Sequence, residues 1–269
     1  MKIGIMQGRL LPKINKRYQA FPGKKWREEF YYAAKIGLNY IELIYEEDDE
    51  FENPLITLDG FDQINETIAK TRVNVRSICA DHFMKYPLYE NNFKTFKQFE
   101  NLIINSKKIN VSEIVLPCVD ISKLDSQKKK DNLISNLIKF KNLLDNHKVT
   151  ICLETDLNYI DNKEIIGLLD SPYFMLNYDT GNSASMGYNT YDELINNLNL
   201  ISSYHIKDRK YLGGPTLLGE GDYNFNTFFN LIEKKIVNPK YLIIQAYRDD
   251  QGIDVFLSQY NWLINKLKI

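Results

Sequence analysis

Four chemically distinct side chains close four successive apolar runs in the second half of the chain. Val149-Thr150-Ile151-Cys152-Leu153 ends in Glu154, and Phe174-Met175-Leu176-Asn177-Tyr178 ends in Asp179. The run through Leu200-Ile201 and Tyr204 ends in His205, and Tyr241-Leu242-Ile243-Ile244 ends in Gln245. A short apolar run that stops at a polar residue reads as a buried parallel strand presenting that residue at its C-terminal tip. The four tips follow one another after 25, 26 and 40 residues. A strand, a helix and two connections take roughly 30 residues, so each tip lies one strand–helix unit after the last. Two carboxylates, an imidazole and an amide at one end of neighbouring strands make a metal-binding set. Its oxygen-rich composition suits Mn²⁺, Co²⁺, Mg²⁺ or Zn²⁺.

The elements that would position these tips can be read in order. Lys2–Met6 reads as the first strand and Trp26–Ile36 as the first helix, with Trp26, Phe30, Ala33 and Ala34 on the apolar face and Gly37 as its stop. Tyr40–Ile44 is the second strand, followed by an acidic loop over residues 46–50. A helix over 59–71 leads to a strand over 73–79, whose tip carries Asp81-His82. The pattern continues with a helix over 92–109, a strand over 113–116 closed by Pro117, and a Lys-rich helix over 126–146. Helices over 163–169, 191–198, 224–235 and 253–268 separate and close the four tip-bearing strands. Eight strand–helix pairs in strict alternation predict a single (β/α)8 TIM barrel, one domain spanning residues 1–269. No Gly-x-Gly-x-x-Gly follows the first strand, which argues against a dinucleotide-binding sheet.

Composition narrows the function classes. The 34 Lys and Arg against 35 Asp and Glu give a formal net charge of −1, so no basic surplus points to nucleic acid. No apolar stretch approaches the roughly 18 residues of a membrane span, and Met1-Lys2-Ile3-Gly4-Ile5 enters a strand directly. Cys79, Cys118 and Cys152 sit in apolar runs without metal-site spacing and read as buried thiols, an expectation that goes with a cytoplasmic location.

The ordered motifs resemble the xylose-isomerase-like TIM barrels, a group of sugar and sugar-phosphate isomerases and epimerases. The resemblance runs from Gly4-Ile5-Met6-Gln7-Gly8-Arg9-Leu10, Gln19-Ala20-Phe21-Pro22 and Ile41-Glu42 through Cys79-Ala80-Asp81 and Leu153-Glu154. It is sharpest in Asp179-Thr180-Gly181-Asn182, His205-Ile206-Lys207-Asp208-Arg209 and Leu218-Gly219-Glu220-Gly221. It implies that Glu154, Asp179 and His205 bind one divalent ion and that the fourth ligand falls at Gln245, where the family usually has Glu. It also implies a small sugar or sugar-phosphate substrate and allows a homo-oligomer.

Gln245 is the departure with consequences. An amide oxygen can coordinate a metal, but the group has no useful basicity, so one of the two carboxylates that flank an epimerase substrate is missing. Glu154 alone could move a proton between adjacent carbons through an enediolate, which favours isomerisation. His82 and Glu220 are the candidates for a second acid or base. A dehydratase or lyase acting on a polyol or inosose, and a sugar-binding barrel without catalysis, are the alternatives. An apurinic-site endonuclease is rejected, because three His in the chain are too few for its three zinc ions. Gln7, Arg9, Glu42, Asn182, Lys207, Arg209 and Arg248 are the expected substrate contacts, with the Lys207, Arg209 and Arg248 cluster suited to a phosphate or carboxylate. Gly213-Gly214-Pro215 reads as the start of a lid ending at Glu220-Gly221.

Overall fold

The computed structural model describes residues 1–14, 16–47 and 53–268. The acidic loop expected over residues 46–50 therefore lies partly outside the described residues. Eight parallel strands close on themselves: β1 (Lys2–Met6), β2 (Tyr40–Ile44), β3 (Asn74–Cys79), β4 (Glu113–Cys118), β5 (Thr150–Thr155), β6 (Phe174–Asp179), β7 (Ile201–Ile206) and β8 (Tyr241–Ile244). Closure comes from β1 pairing with both β2 and β8, Gly4 standing opposite Tyr40 on one side and Ile243 on the other. The approach needs glycine, since a Cβ at Gly4 would sit 2.8 Å from Ile243 Cδ1 and 3.0 Å from Tyr40 Cβ. Helices between consecutive strands complete the (β/α)8 barrel.

The strands are buried along almost their whole length, which explains their continuous apolar runs. The helices begin where the sequence supplies a cap. Asn92, Asn158, Asn189 and Asn224 each accept backbone N–H groups in the first turn that follows. Helix Trp26–Ile36 buries Trp26, Phe30 and Ala33 and ends at Gly37 with φ 87°. Ala34, expected on the same face, is exposed.

Several boundaries differ from expectation: the helix expected over 163–169 begins at Tyr159, and the one expected over 92–109 ends at Ser106 before a 3-10 turn. The helix expected over 126–146 is two, Gln127–Ile138 and Lys141–His147. The break falls at Phe140, whose ring packs edge-on to Phe96 and Phe99 while Lys139 and Phe140 form tight bonds to Asn136 and Leu137 carbonyls. Strand β4 runs through Pro117 to Cys118. Pairing with β3 has already ended at Val115, so the missing N–H of Pro117 breaks no ladder bond on that side.

Candidate metal centre

The C-terminal tips of the strands bring the expected groups to one end of the barrel. Glu154 on β5, Asp179 on β6 and His205 on β7 are all buried, and their ligating atoms lie within 4.8 Å of one another. Register sets this up: Asp179 stands directly opposite His205 across the β6–β7 ladder. Asp179 also caps the following helix by accepting the Asn182 N–H at 2.8 Å, which fixes one of its oxygens. The other, Oδ2, is buried with no hydrogen-bond partner among the described residues and lies 3.9 Å from Lys207 Nζ.

The sharpest sequence motifs interlock at this point. Thr180 Oγ1 donates to the Lys207 carbonyl at 2.5 Å and accepts its N–H at 2.9 Å. The Lys207 stem crosses Gly181, where a Cβ would come within 2.8 Å of Lys207 Cγ. Asn182 donates to Glu154 Oε1 at 3.0 Å and accepts from Arg209 at 3.2 Å. Asn177 donates to Glu154 Oε2 at 2.9 Å.

His205 is held between two carboxylates. Its Nε2 lies 2.8 Å from Glu42 Oε1 and its Nδ1 lies 2.9 Å from Glu154 Oε2. Burial opposes the imidazolium, but the charges of Glu42 and Glu154 outweigh it and hold the His205 pKa well above the ordinary value. Burial likewise pushes Glu154 upward, and His205 with Lys207 overcomes it, leaving Glu154 below the usual carboxylate range. For Asp179 burial prevails over Lys207 and its pKa is raised.

This donor set fits a divalent cation. Asp179 Oδ2, His205 Nδ1 and Gln245 Oε1 are buried polar atoms without an aligned hydrogen-bond partner among the described residues. Leaving so many unsatisfied in one place is costly unless an ion completes them. Gln245 follows β8 directly, its N–H bonded to the Ile206 carbonyl, while its Nε2 donates to Gln19 Oε1 at 2.9 Å.

The tips open into a cavity of about 400 Å³ lined by Tyr18, Gln19, Asp81, Glu154, Asn182, Lys207 and Gln245, among others. Several expected substrate contacts do not face it. Gln7 ties β1 to β2 by accepting the Ile44 N–H. Glu42 accepts from Ser77 at 2.5 Å and contacts His205. Arg9 is 2% exposed and spends its guanidinium on Gln19 and the Tyr18 carbonyl. Arg209 bonds Gly213 and Asn182 and lines a smaller neighbouring hollow of about 270 Å³.

Three expectations require correction. Arg248 is not free for an anionic substrate: it is 1% exposed, and it donates to the Leu11, Pro12 and Tyr18 carbonyls. His82 turns away from the cavity into the rings of Tyr45, Phe83 and Tyr86, because the helical turn His82–Lys85 rolls it inward. Burial lowers its pKa accordingly. Glu220 is exposed and off the cavity. Its loop is stapled down, since Asp208 accepts the N–H groups of Gly219, Gly221 and Tyr223. The expected lid is thus a closed hairpin in which Asp208–Arg209 pair with Pro215–Thr216.

Gln19 and Asp81 are cavity residues that sequence reasoning left without a role. Both stood in the quoted motifs, but nothing local in the chain tells that residue 19 reaches residues 81 and 245.

Comparison with known proteins agrees with this architecture. The family model described as "Xylose isomerase-like TIM barrel" matches residues 30–265. A curated relative in Haemophilus influenzae, named "Putative L-ribulose-5-phosphate 3-epimerase SgbU", is 22% identical over 262 residues, covering 90% of this chain and 92% of its own. The IOLI protein, solved with a zinc atom bound, superposes with a TM-score of 0.75 at 16% identity, covering 99% of this chain and 98% of that one. The 3-keto-D-glucoside 4-epimerase YcjR from E. coli gives 0.73 at 16% identity over 98% and 99%. Among the described residues no helix is long and apolar enough to cross a membrane.

Proposed function

The chain belongs to the xylose isomerase-like TIM barrel family, and from this premise we propose that it is a divalent-metal-dependent isomerase or epimerase of a small sugar or sugar phosphate. The observation that carries the reading is the buried Glu154–Asp179–His205 set with its unsatisfied ligand atoms. Glu154, Asp179 and His205 would hold the ion, with the Gln245 carbonyl oxygen as a neutral fourth donor. A bound ion would supply Lewis-acid polarisation of the substrate's carbonyl oxygen.

The chain's own groups supply the rest. Glu154 lines the cavity and has both oxygens oriented by Asn177 and Asn182, so it is aimed, ionised and able to take a proton from the carbon beside the carbonyl. Lys207, also on the cavity wall, supplies positive charge where an enediolate oxygen or an anionic substituent would lie. The sugar-epimerase names of similar proteins support a sugar substrate.

The test is a metal-stripped preparation titrated with Mn²⁺, Co²⁺, Mg²⁺ and Zn²⁺ while the melting midpoint and turnover of a ketose, aldose and inosose panel are followed. A ligand specific for the folded state adds about 2.7 kcal/mol at one hundred times its Kd. The reading expects a rise that Glu154→Ala and Asp179→Ala abolish, and products of unchanged mass. A product lighter by one water would mean a dehydratase. A rise in melting midpoint without turnover of any sugar would mean a binding barrel.

A further inference from the structure

Proton transfer on both sides of a carbon needs two groups, and Gln245 cannot be the second. We propose that Asp81, at the tip of β3, is the second proton-transfer residue of this site, delivering to the substrate carbon the proton that completes an epimerisation begun by Glu154. The inference rests on the sugar reading above and goes further, naming inversion as the reaction and Asp81 as the residue that permits it.

Asp81 is set apart from the other acids around the cavity by its partners. Glu46 pairs with Arg17, Glu42 and Glu154 with His205, Asp179 lies near Lys207, and Asp120 is exposed to solvent. Among the described residues no cation lies within ion-pair distance of Asp81. Among the described residues its oxygens accept from two neutral groups, Gln19 Nε2 at 2.7 Å and Cys79 Sγ at 3.2 Å. Asp81 is half-buried on the cavity wall, and a carboxylate drawn partly out of water without a counter-charge costs stability, so a purely structural role gives little reason for it. Burial pushes its pKa up to about 6 against the bond from Gln19, which lets the group hold or release a proton near neutrality.

The surrounding amides direct it. Arg9 can only donate, so the Gln19 atom it meets at 2.9 Å is the oxygen, and the Gln19 NH2 is thereby aimed at Asp81. The same oxygen accepts from Gln245 Nε2. One glutamine therefore links the place where a carboxylate is missing to the place where an unpaired one faces the cavity.

The step balances on the chain's own groups. Glu154 takes the proton from the carbon bearing the hydroxyl next to the carbonyl. The C–H pair becomes a C=C bond and the carbonyl pair moves to oxygen, giving the enediolate. The C=C pair then takes the proton of the Asp81 acid from the other face, the C=O bond re-forms, and Asp81 is left ionised with Glu154 protonated. Exchange with water resets both.

The holoprotein, loaded with Mg²⁺ and incubated with a ketose panel in D2O, tests this. The wild type should give the epimer with deuterium at the inverted carbon. Asp81→Asn should lose inversion by about 100-fold or more yet still wash deuterium into unreacted ketose through Glu154, whereas Glu154→Gln should lose both. Asp81→Ser serves as a second variant, with an unchanged Mg²⁺-induced rise in melting midpoint showing an intact fold. In protein carrying ¹³C-labelled Asp carboxyls, the resonance missing from Asp81→Asn should move when the ketose is added. Inversion by Asp81→Asn within a few-fold of wild type, or an unmoved Asp81 resonance, overturns this inference and leaves the sugar reading standing. Failure of the wild type to exchange or convert any sugar overturns both.

Discussion

Glu42 Oε1 lies 2.8 Å from His205 Nε2, with both side chains out of solvent. The contact leaves Nδ1, which faces Glu154, as the nitrogen available to an ion. A carboxylate behind a metal-binding imidazole fixes its tautomer and orientation and raises its basicity. Glu42→Gln should therefore weaken metal binding by about 10–100-fold, measured by calorimetric titration of the stripped protein. Because the ion must displace the Nδ1 proton of an imidazolium, wild-type affinity should rise with pH up to the raised His205 pKa. An affinity flat with pH would sink the assignment.

Gln245→Glu restores a carboxylate next to the other ligands but cannot donate to Gln19 Oε1, so two acceptors would face each other across a 2.9 Å contact. The variant should bind Mn²⁺ or Mg²⁺ more tightly and melt earlier than wild type when stripped. Chelator and metal-loaded melting curves of both proteins read the two effects separately. A variant that gains stability without metal would contradict a stabilising role for the Gln245–Gln19 hydrogen bond.

Glu193 offers a pH dependence away from the metal. It is 3% exposed and accepts the Tyr159 N–H at 2.9 Å at the start of helix Tyr159–Leu169. Burial pushes its pKa up to about 7 from 4.5. A raised folded-state pKa contributes stability that is complete below about 4.5 and lost as pH climbs through about 7. Glu193→Gln keeps the acceptor and removes the proton, so its melting midpoint should lose this downward trend between pH 5 and 8. A parallel trend in wild type and variant would refute the account.

Asp208 gathers four backbone donors, Arg209 and Tyr223 on Oδ1 and Gly219 and Gly221 on Oδ2. An amide there turns donors against donors, so Asp208→Asn should cost about 1–3 kcal/mol and speed amide hydrogen exchange in residues 210–222. Unchanged exchange in that loop would show that the hairpin stands without Asp208.

Much of this was legible in the sequence because it depends on local pattern. The bounds of β1, β2, β8 and helix Trp26–Ile36 follow from apolar runs and from Gly37, and the barrel follows from strict alternation. The tips of β5, β6 and β7 were legible for the same reason: a polar residue ending a buried strand has nowhere to go but the mouth. Side-chain direction off the strands was not. His82 and Asp81 are neighbours, yet one helical turn sends the imidazole inward and leaves the carboxylate on the cavity. Arg248 looks like a substrate clamp until the loop carbonyls it binds, more than 200 residues earlier, are in place.

That last bond has a consequence for how the protein is made. The loop carrying Arg9 and Gln19 is made first, and Arg248 with the closing strand β8, which zips to β1, follows more than 200 residues later. The mouth is thus a late product of translation. A nascent chain with seven strands outside the ribosome still lacks the guanidinium that gathers its first loop, and acquires a working orifice only when Arg248 reaches back to Leu11 and Pro12.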